Sequence, residues 1–210
     1  MLKSMADAVG SSDTKQRIVQ ATIDTIRDDG FASASARAIA RRGEFNQALI
    51  FYHYGTLNEL LLAAFDQVTA ARIERYVEVF EGSDDLASKL RAMIPLYRDD
   101  RESGRLRVIT EVIAGATGRP DLAPEVAARI DPWISMTDHV VRSLLDQVGM
   151  TGIVEPPDAA FAISALFVGM DVLGSLGYDD APAERLIELA ASLAPVLETL
   201  SGLGATATKD

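Results

Sequence analysis

The side chains best suited to acid–base, nucleophilic or metal chemistry are few in this chain of 210 residues. There is no cysteine, which excludes disulfides, thiolate nucleophiles and cysteine-based metal sites. The two histidines, His53 and His139, lack a second histidine or a cluster of carboxylates at metal-ligand spacing. No Ser-His-Asp elbow, phosphate-binding glycine loop or H-E-x-x-H motif occurs. We therefore expect no catalytic site, no metal and no cofactor.

The most unusual stretch is SARAIARRGEFNQALIFYHYGT, residues 35–56. Ser35 is a capping residue before a predicted short helix from Ala36 to Arg42, and Gly43 ends that helix. A second short helix is predicted from about Asn46 to Tyr54. Two short helices joined by about three residues that include a glycine form a helix-turn-helix. Because the second helix has almost no polar face, it is either buried all round or presents its outer face to a partner.

The rest of the chain predicts an all-α fold of about nine helices. Hydrophobic residues make up 48% of the sequence, and they recur at helical spacing with no strand-like alternation. Val19, Ile23 and Ile26 form an apolar stripe on a first helix from about Thr14 to Asp29. The capping box T-x-x-E at residues 56–59 begins a long fourth helix.

Net charge and hydropathy indicate in which cellular compartment the protein is found and which kinds of partner it can bind. The net charge is −11, yet residues 1–56 hold seven Lys/Arg against six Asp/Glu, so this region tolerates a polyanion. Residues 159–178 are the best membrane candidate, but Asp171 at bilayer depth would cost about 2.5–3.5 kcal/mol. The N-terminus lacks the apolar core of a signal peptide. We expect a cytoplasmic protein without a membrane segment.

Residues 18–65 closely resemble the DNA-binding domain of TetR-type (TetR/AcrR family) transcriptional regulators. That family has a helix ending in Gly-Phe, a helix-turn-helix, a Tyr-His-Phe/Tyr-Gly signature and a leucine-rich helix. The counterparts here are Gly30-Phe31, residues 36–54 and Tyr52-His53-Tyr54-Gly55. The resemblance implies a helix-turn-helix DNA-binding domain at 13–56 and an effector-binding and dimerisation domain at 57–204. The small and polar residues at the two ends predict a disordered N-terminus at 1–12 and a tail at 205–210.

The resemblance also implies which residues contact DNA. Arg37 matches a DNA-contacting arginine, the start of the second short helix matches the base-facing segment, and its aromatic end matches the phosphate-contacting segment. Glutamine can pair with adenine, alanine or leucine can contact a thymine methyl, and tyrosine or histidine can reach phosphate. The predicted DNA-binding residues are Ser35, Arg37, Asn46, Gln47, Ala48, Leu49, Phe51, Tyr52, His53 and Thr56.

Two features depart from the family pattern. Leu57 stands where many relatives carry a phosphate-binding lysine, and the turn is one residue longer and holds Glu44. Fewer phosphate contacts predict a shallow dependence of DNA affinity on salt. The alternative for the second short helix is a buried packing helix, but that leaves unexplained an apolar outer face beside Arg41 and Arg42.

An effector pocket and a dimer interface are expected in the remainder. Glu111 and Asp171 lie inside apolar helices, where an ionised carboxylate needs a partner, so they either pair with an arginine or line a pocket. With them, Tyr97, Trp133 and His139 are the predicted pocket residues, because their polar tips suit a binding cavity.

The last two predicted helices, Ala159–Leu176 and Glu184–Leu200, carry more Ala, Leu, Val and Gly than a monomer surface accommodates. Their pairing in a homodimeric four-helix bundle would bury this surface. The leading hypothesis is a ligand-responsive homodimeric repressor of a pseudo-palindromic DNA operator. The alternatives are a small-molecule-binding or scaffold helical protein whose N-terminal module contacts protein instead of DNA, and a helical enzyme without a visible acid–base pair.

Overall fold

The computed structural model describes residues 2–82, 85–147, 154–179 and 181–207. Within these ranges the chain forms nine α-helices, which confirms the predicted all-α class. The helices are α1 (Leu2–Asp29), α2 (Ala36–Arg42), α3 (Ala48–Tyr54), α4 (Leu57–Glu81), α5 (Leu86–Glu102), α6 (Arg105–Thr117), α7 (Ala123–Gln147), α8 (Pro156–Ser175) and α9 (Ala181–Ala207), with a 3₁₀ turn at Phe31–Ser33.

Capping side chains set the helix starts around the turn. The hydroxyl of Ser35 accepts a hydrogen bond from the Ala38 N–H at 3.2 Å, and α2 has the predicted bounds. The hydroxyl of Thr56 accepts from the Glu59 N–H at 3.1 Å, and α4 begins at the next residue. These two predicted caps are present because a short polar side chain at each position satisfies an N–H that the first turn leaves open.

Two helix starts in the first 56 residues differ from the sequence prediction. Helix α1 begins at Leu2 instead of Thr14, so residues 2–12 continue the helix where disorder was expected. Leu, Lys, Met and Ala dominate residues 2–8 and favour helix, which outweighs the capping signal at Asp13. Helix α3 begins at Ala48 instead of Asn46, because the Asn46 side-chain oxygen accepts from the Ala48 N–H at 2.9 Å and forms a turn there.

The chain divides into two compact units. The first comprises residues 1–71 and 104–127, and the second comprises residues 72–103 and 128–210. The first unit includes the whole of the predicted DNA-binding region, 13–56, and adds α6 with parts of α4 and α7. The functional bounds at 56/57 and at 204/205 stay a prediction.

Helix α6 is packed against the end of α1 in the first unit. The Glu111 carboxylate accepts a hydrogen bond from the Phe31 N–H at 2.8 Å. Gly115 lies under the Phe31 ring so closely that a Cβ there would collide with it. The Gly30-Phe31 turn after α1 is therefore held by a carboxylate and a glycine from the same helix. Glu111 meets its need for a partner through a backbone donor and not through an arginine.

A buried group of charges lies in the second unit. Arg72 is 7% exposed, Asp100 is 0% exposed and Asp171 is 4% exposed. The Arg72 Nε lies 3.3 Å from Asp100 Oδ2, and its Nη1 lies 3.8 Å from Asp171 Oδ2. Arg75 donates to the other Asp100 oxygen at 2.8 Å. Two guanidiniums thus face two carboxylates, and the pairing of Asp171 with an arginine was one of its two predicted roles.

Helices α8 and α9 expose a broad apolar surface. Helix α8 is long and apolar enough to cross a membrane by length and composition, and only its Ala160, Ser164 and Asp171 are buried. Because Asp171 is engaged by Arg72, a bilayer around α8 would have to accommodate that whole ion cluster. The exposed large apolar side chains of the two helices are Phe161, Ile163, Leu166, Val172, Leu173, Leu186, Leu189, Leu193 and Val196, and Leu176 directly after α8 is exposed as well.

The two neighbouring aspartates of α5 provide a test of the buried cluster. Asp100→Asn removes a charge that faces two arginines in the interior, and we expect the free energy of unfolding to fall by about 3 kcal/mol. Asp99 is bonded to Arg75 at 2.7 Å, but its side chain is 55% exposed. Asp99→Asn should therefore change stability by less than about 1 kcal/mol. Urea unfolding measures both variants, and equal losses would contradict the buried arrangement.

Candidate nucleic-acid interface

Helix α3 has one face in the core of the first unit and another in solvent. Ile50 is completely buried, and the Tyr54 hydroxyl donates to the Lys15 carbonyl at 3.0 Å. Burial also raises the pKa of the Tyr54 hydroxyl. On the other side, Phe51 is 49% exposed and Tyr52 is 81% exposed. A helix of seven residues is too short to be stable alone, so the buried contacts of Ile50 and Tyr54 stabilise it.

All ten residues predicted to contact DNA are accessible. Leu49 and His53 are half-buried, and the other eight are exposed. Tyr52 and His53 meet edge to face with ring centroids 4.9 Å apart, which orders the two aromatic groups relative to each other. The exposed residues are Ser35, Arg37, Asn46, Gln47, Ala48, Phe51, Tyr52 and Thr56.

The turn between α2 and α3 has an unusual backbone. Glu44 has a φ of 54°, and it is the one non-glycine residue with positive φ among those the structure describes. The Phe45 N–H then donates to the Ala40 carbonyl at 3.0 Å, which closes the turn. L-residues rarely adopt this conformation. The longer turn noted in the sequence is therefore accommodated at Glu44, whose side chain is exposed.

Gly55 ends α3 with a φ of 74°, and its N–H donates to the Phe51 carbonyl at 3.0 Å. This left-handed conformation suits glycine because it lacks a Cβ. Thr56 follows directly and caps α4, so only Gly55 and Thr56 separate α3 from α4. The aromatic end of α3 is thereby placed beside the start of α4.

The arginines near the turn are not equivalent. Arg42 forms ion pairs with Asp28 at 2.6 Å and with Asp29 at 2.8 Å. The Arg27 guanidinium, bonded to Asp28, and that of Arg42 together lower the pKa of the Asp28 carboxyl to about 2. Arg42 is thus engaged by the end of α1. Arg37 and Arg41 are exposed and form no ion pair with residues in the described ranges. Arg17 is also exposed and donates to the Gly43 carbonyl of the turn at 3.4 Å.

The second unit contains a cavity of about 220 Å³. Trp133 is the one predicted pocket residue among its lining residues. Tyr97 and Asp171 are buried in the same unit without lining this cavity, and Tyr97 borders a separate opening near Arg98. His139 is exposed. Glu111 lies in the first unit, bonded to Phe31 as described above.

Sequence reasoning missed most of the lining. These residues are large, apolar or aromatic and recur at helical spacing. Residues that fill a core show the same pattern, so the sequence does not distinguish a core from a cavity. The lining residues are Tyr76, Phe80, Leu86, Leu90, Met93, Trp133, Met136, Thr137, Val140, Val141, Ile163, Leu166, Phe167, Met170, Leu186, Ile187 and Ala190. In the ranges that the structure describes, no three His, Asp or Glu side chains are grouped as metal ligands.

The chain is similar in sequence to known regulators over about half of its length. An uncharacterized HTH-type transcriptional regulator of Mycobacterium bovis is 30% identical over 125 residues, which is 60% of this chain and 58% of that one. The nicotine-responsive repressor HdnoR of Paenarthrobacter nicotinovorans is 25% identical over 107 residues, 51% of this chain and 55% of that one. The chain thus spans less than two thirds of these relatives. No protein-family profile matches it.

The fold has a known counterpart over nearly the whole chain. A crystal structure described as a TetR-family transcriptional regulator from Rhodococcus sp. superposes with a TM-score of 0.73 and 19% identity. The superposition covers 87% of this chain and 98% of that one. At this identity the likeness concerns the fold, which is all-α in both. These proteins are named as transcriptional regulators, and none is named as an enzyme.

Two adjacent tyrosines allow a matched test of how α3 is held. Tyr54→Phe removes only the hydroxyl that bonds the Lys15 carbonyl, and we expect a loss of about 1 kcal/mol in the free energy of unfolding. Tyr52→Phe removes an exposed hydroxyl and should change stability by less than about 0.5 kcal/mol. Chemical denaturation monitored by circular dichroism compares them. A larger loss for Tyr52→Phe would refute the orientation given for α3.

Proposed function

We propose that this chain, whose fold matches that of a protein described as a TetR-family regulator, is a transcriptional regulator that binds DNA as a homodimer and responds to a small molecule. Its target would be a pseudo-palindromic operator, and it would act as a repressor in the cytoplasm. The observation that supports this most directly is α3, a short helix whose inner face is buried while its outer face presents accessible aromatic and amide groups.

The outer face of α3 suits direct contact with a major groove. Gln47 can form two hydrogen bonds with an adenine, and Ala48 and Leu49 can contact thymine methyl groups. Tyr52 and His53 lie further along the same helix, where they can donate to phosphate oxygens. Apolar and aromatic contacts dominate this list, so base edges and groove shape would contribute more than phosphate charge.

Few cations support the binding of DNA here. Arg37 and Arg41 are available and Arg17 lies at the turn, whereas Arg42 is bound to two carboxylates of α1. Glu44 adds an exposed negative charge to the turn. Each phosphate contact contributes about 0.9 to the slope of log affinity against log salt. We therefore infer a shallow salt dependence for this regulator.

The apolar surface of α8 and α9 supports a homodimer. Nine large apolar side chains of these helices, and Leu176 directly after α8, are at least 36% exposed in the described chain. Two copies that bury this surface against each other would form a four-helix interface. A two-fold axis would then present two α3 helices to half-sites about 34 Å apart, one turn of DNA.

Two observations support a response to a small molecule, namely the cavity of the second unit and the name of a relative. HdnoR is named as nicotine-responsive, and the cavity in the second unit has room for a small molecule. A ligand can release DNA only if it binds the two states of the protein with different affinity. In the proposed mechanism the liganded state has a separation of the two α3 helices that no longer matches successive grooves.

Substitution of Arg37 and Tyr52 tests DNA binding. A random-sequence duplex pool enriched on the wild-type protein should yield an inverted repeat, and the enriched duplex then serves as the probe. Arg37→Ala and Tyr52→Ala should each weaken binding by about 10-fold or more, because each removes one contact per half-site. Arg37→Ala should also lower the salt slope by about 2 per dimer.

Arg42→Ala is the matched control, since that guanidinium is already paired with Asp28 and Asp29. It should change affinity by less than about 3-fold and leave the salt slope unchanged. Should the Arg37→Ala and Tyr52→Ala variants bind the enriched duplex like wild type, or should no sequence be enriched, a protein-binding role for the N-terminal module would be favoured instead.

A charge placed on the α9 surface tests the dimer. Leu189→Glu introduces a carboxylate at a position that is 55% exposed in the single chain and buried in the proposed interface. We expect light scattering to give a dimer for wild type at micromolar concentration and a monomer for this variant. Val154→Glu, at an exposed apolar residue outside both helices, should remain dimeric. A wild-type monomer under these conditions would refute the proposal.

A further inference from the structure

We propose that the cavity of the second unit binds an uncharged, mainly apolar small molecule of about nine non-hydrogen atoms that carries one hydrogen-bonding group, and that it rejects carboxylates and ammonium ions. This inference names the ligand class and so rests on the ligand response proposed above. It is based on the residues that line the cavity, on the ion pairs of the nearest charged side chains and on the volume of the cavity.

The lining contains no Asp, Glu, His, Lys or Arg among its described residues. Its seventeen residues are aliphatic or aromatic apart from Thr137, and the polar groups carried by the aromatic rings are the Tyr76 hydroxyl and the Trp133 indole N–H. The Thr137 hydroxyl already donates to the Trp133 carbonyl at 2.9 Å. A charged ligand would lose its hydration on entry and find no opposite charge on the wall. The lining therefore selects against charge of either sign.

The charged side chain closest to the lining, Arg72, packs against two aromatic rings and is paired with carboxylates. The Arg72 guanidinium lies 4.8 Å from the ring centroid of Trp133 and 5.3 Å from that of Tyr76, and both of these rings line the cavity. Arg72 itself is absent from the lining, and its charge faces Asp100 and Asp171. A ligand carboxylate at this guanidinium would compete with the two aspartates that already face it. Arg72 is thus a poor anchor for an anion.

Tyr76 offers a hydroxyl to a ligand. It is completely buried, and no described residue is in good hydrogen-bond geometry with its hydroxyl. Burial raises the pKa of this hydroxyl, and the positive charge of Arg72, which is close enough to interact with it, opposes that effect. A buried hydroxyl without a partner is unfavourable, so a ligand that supplies one polar group would be recognised there. An alcohol, ether or ketone group meets this requirement without bringing charge.

The volume sets the size of the ligand. An apolar cavity of about 150 Å³ accommodates benzene, which has six non-hydrogen atoms. By proportion, about 220 Å³ accommodates a ligand of about nine non-hydrogen atoms. Three methionines, Met93, Met136 and Met170, contribute flexible walls that can adapt to the shape of such a molecule.

Trp133 allows a direct test, because it is the single tryptophan of the chain and lines the cavity. The probes are 1-octanol, octanoate and octylammonium, which share one alkyl chain and differ in the charge of the headgroup at pH 7. Titration of the full-length protein without DNA, followed by Trp133 emission, should give saturable binding of octanol. Octanoate and octylammonium should each bind at least about 100-fold more weakly.

Tyr76→Phe identifies the hydrogen-bonding group. This variant should bind octanol about 5- to 10-fold more weakly, since it lacks one hydroxyl. Tyr178→Phe, the same change at an exposed position outside the lining, should bind octanol like wild type. Thermal unfolding of each variant verifies its fold, and octanol should raise the Tm of wild type and of Tyr178→Phe more than that of Tyr76→Phe.

Binding of either ion as tightly as octanol, or no effect of any probe on Trp133, would overturn the proposed ligand class. Because the titration contains no DNA, failure of DNA binding would leave this result unaffected. Addition of octanol to the complex with the enriched duplex separates the two proposals further. Octanol that binds without releasing the duplex would refute octanol-driven regulation and leave the ligand class standing.

Discussion

The buried guanidinium of Arg72 determines how the second unit is arranged. An unpaired charge in the interior is strongly unfavourable, so α4 can carry Arg72 inward only if neighbouring helices supply carboxylates. Asp100 of α5 and Asp171 of α8 meet that need. The same requirement explains why the long apolar helix α8 contains an aspartate at all, since that aspartate ties the helix to α4. The cavity lies on the other side of the two rings that cover the guanidinium.

A different constraint controls the first unit, where α3 has too few residues to be stable by its own hydrogen bonds. Ile50 supplies its buried contact, Tyr54 bonds the carbonyl of Lys15, and Gly55 ends it in a conformation that favours glycine. Once these residues are fixed, the remaining side chains of the helix face outward. Exposure of Phe51 and Tyr52 is thus a consequence of how the helix is held, and it makes them available to a partner.

Residues with strong local signals were predictable from the sequence, and residues whose role depends on tertiary neighbours were not. Ser35 and Thr56 cap helices in the structure as the sequence indicated, because a cap bonds a backbone group three residues away. Glu111 was assigned to a pocket, yet its partner is the N–H of Phe31, 80 residues distant along the chain. The pairing of Arg42 with Asp28 and Asp29, 14 and 13 residues away, is likewise not visible in the sequence. His139 was chosen for its chemistry alone, and its helix turns it to solvent.

The cavity and the ion cluster share a wall, and this gives a ligand a way to act on the helices of the second unit. Trp133 of α7 packs edge to face against Tyr76 at 5.4 Å and against Phe167 of α8 at 6.1 Å, and it covers Arg72 of α4. A ligand that displaces the indole would therefore remove an aromatic contact from Arg72, the guanidinium that also pairs with aspartates of α5 and α8. Since cation–π contact with a desolvated arginine is worth about 2 kcal/mol, loss of that contact is comparable to a tenfold or larger shift between two states. A neutral ligand can produce such a shift without competing for the ion pairs themselves, whereas a charged ligand would compete with them.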